Sequence, residues 1–231
     1  MTATNQRKER RGTVPSPSLS DYLKVQWPYI RPLFWEQIQL VLLTMVIAAA
    51  VGVTIGALVW DRPRISGPVM ALAGALLTIP SLALLTLLQP ATGLGWTTTV
   101  IALVVYAQLP IIRNTVAGLR SVDPAVTQAA AGIGMGPVRR LVRVQLPLAW
   151  PVILAGLRVA TMLVFGISAI AAYVSGPGLG NLVFTGLSRL GSVNATNQAV
   201  VGAFGIALLA LAFDAVYLVL RRVTVSRGIR V

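Results

Sequence analysis

The sequence contains no cysteine and no histidine. Without these residues the chain has no disulfide framework, no thiol nucleophile, no Cys/His metal site and no Ser-His-Asp triad. Charged residues are also scarce: they make up 11% of the 231 residues, against about 25% in a typical soluble domain. A soluble globular fold is therefore excluded together with thiol- and histidine-dependent chemistry.

The scarcity of charge leaves long apolar stretches. Four stretches carry no charged residue at all: 37–60, 65–112, 159–188 and 190–213. A helix needs about 20 mostly apolar residues to cross a hydrocarbon core of about 30 Å. We therefore predict an all-α integral membrane protein. Its transmembrane domain covers residues 38–220, with five spans at about 38–60, 68–88, 96–112, 148–174 and 199–220.

The remaining segments are polar or interfacial in composition. Residues 1–18 are basic and contain proline and serine, which predicts a disordered tail rather than a signal peptide. Residues 19–37 mix aromatic and basic side chains with two prolines, as is typical of an interfacial segment. Residues 175–198 are rich in glycine, serine, asparagine and threonine and predict a loop, in part re-entrant. Residues 221–231 form the C-terminal tail.

The net charge of +13 comes mainly from arginines between the spans, which in a membrane protein mark the cytoplasmic side rather than a nucleic-acid site. With five alternating spans, one side carries eleven arginines, namely Arg62, Arg64, Arg113, Arg120, Arg139, Arg140, Arg143, Arg221, Arg222, Arg227 and Arg230. The opposite loops carry Arg189 alone. The loop 113–147 and the C-terminal tail are therefore predicted to be cytoplasmic. The N-terminus is then outside, although its own basic residues do not favour that side.

The cytoplasmic loop 121–147 has the signals of a compact helix–turn–helix. Asp123 is a good N-cap and Pro124 a good first helical residue. Glycines at 132, 134 and 136 then break the helix. Pro137 begins a second short helix, which Pro147 is expected to end. The loop is either an amphipathic element on the membrane surface or a docking element for a cytoplasmic partner.

The same loop carries a longer pattern of fixed spacing. Gln128-Ala129-Ala130 is followed by Gly134 and then by Val144-Gln145-Leu146-Pro147. This pattern resembles the signature loop of ABC-type importer permeases, in which Glu-Ala-Ala, a glycine and a Leu-Pro pair have this spacing. Gln128 stands where the family has an acid. Farther along, Gly156-Leu157-Arg158 and the stretch 175–181, Ser-Gly-Pro-Gly-Leu-Gly-Asn, resemble permeases of the osmoprotectant group.

The resemblance implies a five-span permease in a bacterial cytoplasmic membrane, similar to type I importers. It implies three protein partners: a cytoplasmic ATPase subunit that binds the ATP, a second permease subunit, identical or paralogous, and an extracytoplasmic substrate-binding protein. No cofactor is expected in this chain, which lacks a Gly-x-x-x-x-Gly-Lys-Ser/Thr motif. The residues expected at the ATPase are Gln128, Ala129, Ala130, Gly134, Met135, Gly136, Pro137, Leu146 and Pro147.

Two opposite charges lie within the predicted spans. Arg158 lies about 15 Å into the fourth span, and Asp214 about 10 Å from the end of the fifth, at 1.5 Å per helical residue. Both distances are measured from the cytoplasmic side. Charges at such depth pair or face a cavity. We therefore predict that Arg158 and Asp214 approach each other, as a structural ion pair or as a pathway charge.

Two other classes of function remain to be compared with the permease. A self-contained secondary transporter uses intramembrane carboxylates and internal repeats. Asp214 is the only acid in the predicted spans, and no repeat is visible. An intramembrane enzyme would need catalytic residues that this sequence lacks. The solute is left open, since Trp96, Tyr106 and Tyr173 lie in or near spans without forming an evident aromatic cage for a quaternary ammonium.

Overall fold

The computed structural model describes residues 18–224, and every regular element in that range is a helix. The α-helices, in chain order, are α1 Leu19–Val59, α2 Pro63–Thr78, α3 Ser81–Thr92, α4 Trp96–Arg120, α5 Pro124–Gly132, α6 Pro137–Arg140, α7 Leu146–Ala171, α8 Gly180–Ser188 and α9 Ala195–Thr224. The predicted all-α fold is confirmed. The predicted tail 1–18 lies outside the described residues except for Ser18, and the predicted tail 221–231 is described only to Thr224.

Four helical stretches are long and apolar enough to cross a membrane: α1, α4, Pro137–Val174 and α9. The pair α2 and α3 qualifies as a fifth only if the two helices, which meet at 95°, form one bent span. The segments expected to be cytoplasmic and the outer loops lie at opposite ends of these helices. Arg120 contacts Trp60 at one end, and Gly95 contacts Val174 at the other.

Helix α1 is 41 residues long, which corresponds to about 60 Å. The segment 19–37, predicted as a separate interfacial element, is helical and continues directly into the span 38–60. Its prolines, Pro28 and Pro32, are exposed, so the carbonyl groups that they leave unpaired face outward. The interfacial position of this segment stays a prediction.

The span predicted at 68–88 consists of two helices in the structure. Ile79 is extended, with ψ at 128°, because the residue before a proline is disfavoured in the helical region. The break leaves the Ile79 carbonyl without a helical partner, and the Tyr106 hydroxyl donates to it at 2.7 Å. Pro80 therefore produces a sharp corner between α2 and α3, where the sequence predicted a kink within one span.

The second helix of loop 121–147 does not end at Pro147, which corrects the sequence-based expectation. Helix α6 continues through a π-helical turn, Leu141–Gln145, into α7. Pro147 lies in the first turn of α7, where its missing N–H costs little, and the wider π turn precedes it. The loop is thus joined rigidly to the fourth span. In the outer loop 175–198, residues Gly180–Ser188 form the short helix α8.

Helix α4 lies at the centre of the bundle. A Cβ placed on Gly52 or Gly56 of α1 would lie within 2.7 Å of Ile111 or Thr115 of α4. A Cβ on Gly156 of α7 would lie 2.5 Å from the Cβ of Asn114. Small residues therefore let α1, α4 and α7 approach closely, as in other membrane bundles. Helix α9 is peripheral and exposes apolar side chains such as Phe204 and Leu211.

Candidate functional site

The loop between α4 and α7 is a helix, a glycine turn and a second helix. The Asp123 carboxylate caps α5 by accepting from the Ala125 N–H at 2.8 Å. At the other end, the N–H groups of Gly134 and Met135 donate to the Ala131 and Ala130 carbonyls. Gly134 has φ at +83°, and a Cβ there would meet nothing within 4 Å. Glycine is required at 134 by this left-handed conformation rather than by lack of space.

The loop presents most of the predicted docking residues on its surface. Those that are exposed are Gln128, Ala129, Gly134, Gly136, Pro137 and Pro147. Ala130 is buried, while Met135 and Leu146 are half-buried. Ala130 therefore supports the loop from inside rather than forming its outer face, while Met135 and Leu146 are partly accessible.

The two most exposed large apolar side chains of this loop were not predicted as docking residues. Ile133 is 76% exposed and Val138 is 74% exposed, on either side of the Gly134 turn. Exposed apolar groups around a rigid turn are typical of a protein-binding surface. The sequence pattern leaves these positions unspecified, so only their exposure singles them out. We call the residues 128–138 the docking surface.

Arg158 and Asp214 lie together between α7 and α9. The Arg158 Nε–H and Nη2–H groups donate to the two carboxylate oxygens of Asp214 at 2.5 and 2.7 Å. This bidentate geometry is the strongest arrangement available to the two side chains. The side chains are 42% and 23% exposed, respectively, so the pair is not sealed in the protein interior.

Two further polar contacts join the same helices. The Thr161 and Tyr217 hydroxyl groups are 2.9 Å apart, and the Trp150 indole N–H donates to the Thr224 hydroxyl at 3.0 Å. Together with the ion pair they form the α7–α9 polar seam. A cavity of about 630 Å³ opens beside it, lined by Asp123, Arg158, Tyr217 and Arg221 among mostly apolar residues. The polar seam therefore faces a space that reaches the beginning of the loop 121–147, which we call the docking loop.

The outer loop after α7 is held by two residues that sequence reasoning did not single out. The Glu36 carboxylate accepts from the Gly178 N–H at 3.1 Å. Gln37, fully buried, donates to the Ser168 hydroxyl at 2.8 Å and accepts from the Leu179 N–H at 3.2 Å. Gly178 has φ at +101°, and a Cβ there would lie 2.5 Å from Gln37 Oε1. The glycines of 175–180 thus allow the chain to lie directly against α1.

The three aromatic residues considered for a solute cage have different environments. Tyr106 is buried and hydrogen-bonded to Ile79, so it supports the corner between α2 and α3. Tyr173 is 60% exposed, with its ring 6.2 Å from that of Phe184. Trp96 begins α4 at the outer end of the bundle. Among residues 18–224, no ring–ring contact joins these three aromatic residues to one another.

Residues 46–225 match the model of the family described as binding-protein-dependent transport system inner membrane component. The chain belongs to this family. It is therefore a membrane protein of a transport system, and the resemblance first seen in the loop 128–147 is confirmed.

Curated bacterial relatives cover most of the chain. The Salmonella typhimurium osmoprotectant import permease protein OsmW is 38% identical over 87% of this chain and 94% of its own length. The Bacillus subtilis glycine betaine/carnitine/choline transport system permease protein OpuCD is 36% identical, with coverages of 86% and 85%. The Listeria monocytogenes carnitine transport permease protein OpuCD is 33% identical, with coverages of 85% and 86%.

A solved structure shares the fold. The chain is similar to a subunit of the MetNI methionine ABC transporter in an inward-facing conformation, with a TM-score of 0.76 at 19% identity. The match covers 88% of this chain and 99% of that chain. The helices of this chain therefore have the same arrangement as those of that ABC transporter subunit.

Proposed function

We propose that this chain is the permease subunit of an ATP-driven importer that carries a small osmoprotectant of the betaine, choline or carnitine class into the cytoplasm. The observation that carries this proposal is the similarity, along most of the chain, to permeases whose names give such solutes. The chain supplies the membrane pathway, while the chemical energy comes from another subunit. The choice among these solutes belongs largely to the binding protein.

The docking surface supports a cytoplasmic ATPase as the source of that energy. The chain has no phosphate-binding glycine loop of its own, so ATP binds to the partner. The Gly134 turn, with exposed Ile133 and Val138 beside it, offers a rigid apolar contact of the kind that anchors protein interfaces. Gln128 carries no charge, so the interface forms without an ion pair at that position.

Two other partners follow from the proposed role. A second permease subunit, identical or paralogous, completes the pathway, and the exposed apolar side chains of α9 are suited to a neighbour in the membrane. An extracytoplasmic binding protein delivers the solute at the outer end, where α8 and the loop 175–180 lie. The family description, which specifies dependence on a binding protein, supports this part of the proposal.

The ion pair disfavours the alternative of a self-contained secondary transporter. Such a transporter needs a carboxylate that can take up and release a proton or a cation. Both oxygens of Asp214 accept hydrogen bonds from Arg158, so this carboxylate is already neutralised. Transport driven by ATP has no such requirement.

Reconstitution tests the proposed function directly. The permease is purified with its ATPase, placed in liposomes and supplied with the binding protein and radiolabelled glycine betaine, choline or carnitine. We expect accumulation that needs ATP on the ATPase side and the binding protein on the other. Uptake by the permease alone under a proton or sodium gradient would instead favour the secondary transporter.

A substitution in the turn tests the docking surface. Gly134→Val forces a β-branched residue into the left-handed region, so the turn must deform. We expect loss of co-purifying ATPase and of ATP-driven uptake. Gly67→Val is the matched control, because Gly67 lies outside the docking surface, has no positive φ, and a Cβ there meets no atom within 4 Å. Retention of stoichiometric ATPase by the Gly134→Val protein would exclude this turn as the docking element.

A further inference from the structure

Arg120 is the last residue of α4, and its guanidinium joins two other elements to that helix. Its Nε–H donates to the Trp60 carbonyl at 2.9 Å, at the C-terminal end of α1. Its Nη2–H donates to the Ser66 hydroxyl at 2.8 Å, in the first turn of α2. One side chain therefore connects the ends of α1 and α4 with the beginning of α2.

The Trp60 carbonyl and the Ser66 hydroxyl each accept a hydrogen bond from the Arg120 guanidinium at a position where other donors are scarce. The last carbonyl groups of a helix have no partner within it, and Trp60 terminates α1. Ser66 is only 1% exposed, so its hydroxyl is shielded from water. A guanidinium can serve both at once, because it donates in several fixed directions, whereas a lysine ammonium is a single point of charge.

This contact lies at the point where α4 leads into the docking loop. Directly after Arg120 the chain passes through Ser121 and Val122 to Asp123, the cap of α5. Gly56 and Thr115 are in close contact about one turn from the same end of α1 and α4. The Arg120 contact with Ser66 extends this packed pair to the first turn of α2. This junction therefore anchors the N-terminal end of the docking loop, while α7 anchors its C-terminal end.

We propose that Arg120 is a positioning residue for energy coupling, which holds the end of α1 and the first turn of α2 next to the start of the docking loop so that α1, α2 and α4 move together. The inference rests on the proposed function, since coupling needs an ATPase. Arg120 contacts neither solute nor nucleotide. Its effect is to transmit movement of the docking loop to the helices of the pathway.

The test compares Arg120→Gln with Arg64→Gln in the assembled transporter. Both substitutions remove one arginine charge from the same membrane side, but Arg64 is exposed and has no hydrogen bond or ion pair within residues 18–224. Solute taken up per ATP hydrolysed is measured in liposomes, with hydrogen exchange of residues 61–67 measured in parallel. For Arg120→Gln we expect normal assembly with the ATPase and retained ATP hydrolysis, but a fall of several-fold in solute moved per ATP.

Hydrogen exchange gives a readout that does not depend on transport. A charge-assisted hydrogen bond contributes enough that its loss should accelerate exchange at 61–67 about tenfold. Arg64→Gln should leave both readouts near those of the unaltered protein. Arg120→Lys and Ser66→Ala, which each keep part of the contact, should give intermediate values.

The outcomes separate this inference from the proposed function. If the unaltered protein shows no ATP-driven uptake, the proposed function fails. If it does, and Arg120→Gln keeps the normal ratio of solute to ATP, the positioning role of Arg120 is wrong. A normal ratio with fast exchange at 61–67 would mean that the contact is structural only, which also overturns the inference.

Discussion

Asp214 has both carboxylate oxygens bound by one guanidinium in the membrane-spanning part of the molecule. A lone charge in this position would have to draw in water or move toward the membrane surface. The cavity beside the α7–α9 polar seam makes some hydration possible, which agrees with the partial exposure of both side chains. The pair is therefore suited to holding α9 against α7 while remaining accessible from one side.

Removal of one partner tests that structural role. Asp214→Asn leaves Arg158 without a charge partner, so we expect a lower Tm by several degrees and a proportionate loss of uptake. Exchanging the two residues, Arg158→Asp with Asp214→Arg, should recover most of the lost Tm and uptake. Thermal unfolding in detergent together with uptake in liposomes measures both. Recovery of the Tm without uptake would instead identify the pair as a pathway charge.

Single residues were predictable from the sequence when a local rule required them. The cap at Asp123 and the left-handed turn at Gly134 follow from residue type and spacing, and the structure has both. Glu36 and Gln37 were missed because their partners, Gly178 and Leu179, lie 142 residues away along the chain. A polar residue at the start of an apolar run does not indicate which backbone groups it will meet.

At the scale of helices, close packing depends on a few glycines that face another backbone. Gly156 is the clearest case, because a Cβ there would lie 2.8 Å from the Pro110 carbonyl oxygen as well as against Asn114. A clash with a backbone atom cannot be relieved by a change of side-chain rotamer. Helices α4 and α7 therefore need a residue without a side chain at this position.

A pair of alanine substitutions in α7 tests this packing. Gly156→Ala should push α4 and α7 apart and destabilise the protein by about 1–3 kcal/mol. Gly166→Ala is the control on the same helix, because a Cβ there meets no atom within 4 Å. We expect a reduced Tm and reduced uptake for the first variant and neither change for the second. Equal stability of both variants would show that the contact at Gly156 is not tight.

The bounds of the helices show what local signals leave undecided. Pro80 and Pro147 were both expected to disturb a helix, yet they have opposite outcomes. Pro80 follows an extended residue and separates α2 from α3, with Tyr106 binding the freed carbonyl. Pro147 is accommodated after a π-helical turn, and the helix continues to Ala171. Whether a proline separates two helices or is accommodated in one depends on its tertiary neighbours. The local sequence around the proline does not specify those neighbours.

At the scale of the whole molecule, the described helices agree with an arrangement in which both ends of the docking loop lie on one side. The contact between Arg120 and Trp60 places the end of α1 on that same side. Glu36 and Gln37, farther back along α1, bind the loop 175–181 at the opposite end of the bundle, and the beginning of α1 lies beyond that contact. This geometry supports the prediction that the beginning of α1 and the docking loop lie on opposite sides of the membrane.

The absence of cysteine makes this topology directly measurable, since every introduced cysteine is the only one in the chain. We expect Ser20→Cys and Ser192→Cys to react with a membrane-impermeant maleimide added to intact cells. Ser121→Cys should react only after the membrane is permeabilised. Labelling of Ser20→Cys only after permeabilisation would place the beginning of α1 in the cytoplasm and would contradict the five-span arrangement.

The sequence by itself determined that this protein lies in a membrane and which pattern within the loop 121–147 indicates the family, and it predicts that this loop is cytoplasmic. These properties depend on composition and on spacing along the chain, because the bilayer selects apolar segments and the loop signals are local. The tertiary structure decided the corner at Pro80, the continuous helix through Pro147, and the contacts of Gln37 and Arg120. Each of these depends on groups distant in sequence, and only the packed bundle brings those groups within hydrogen-bonding distance.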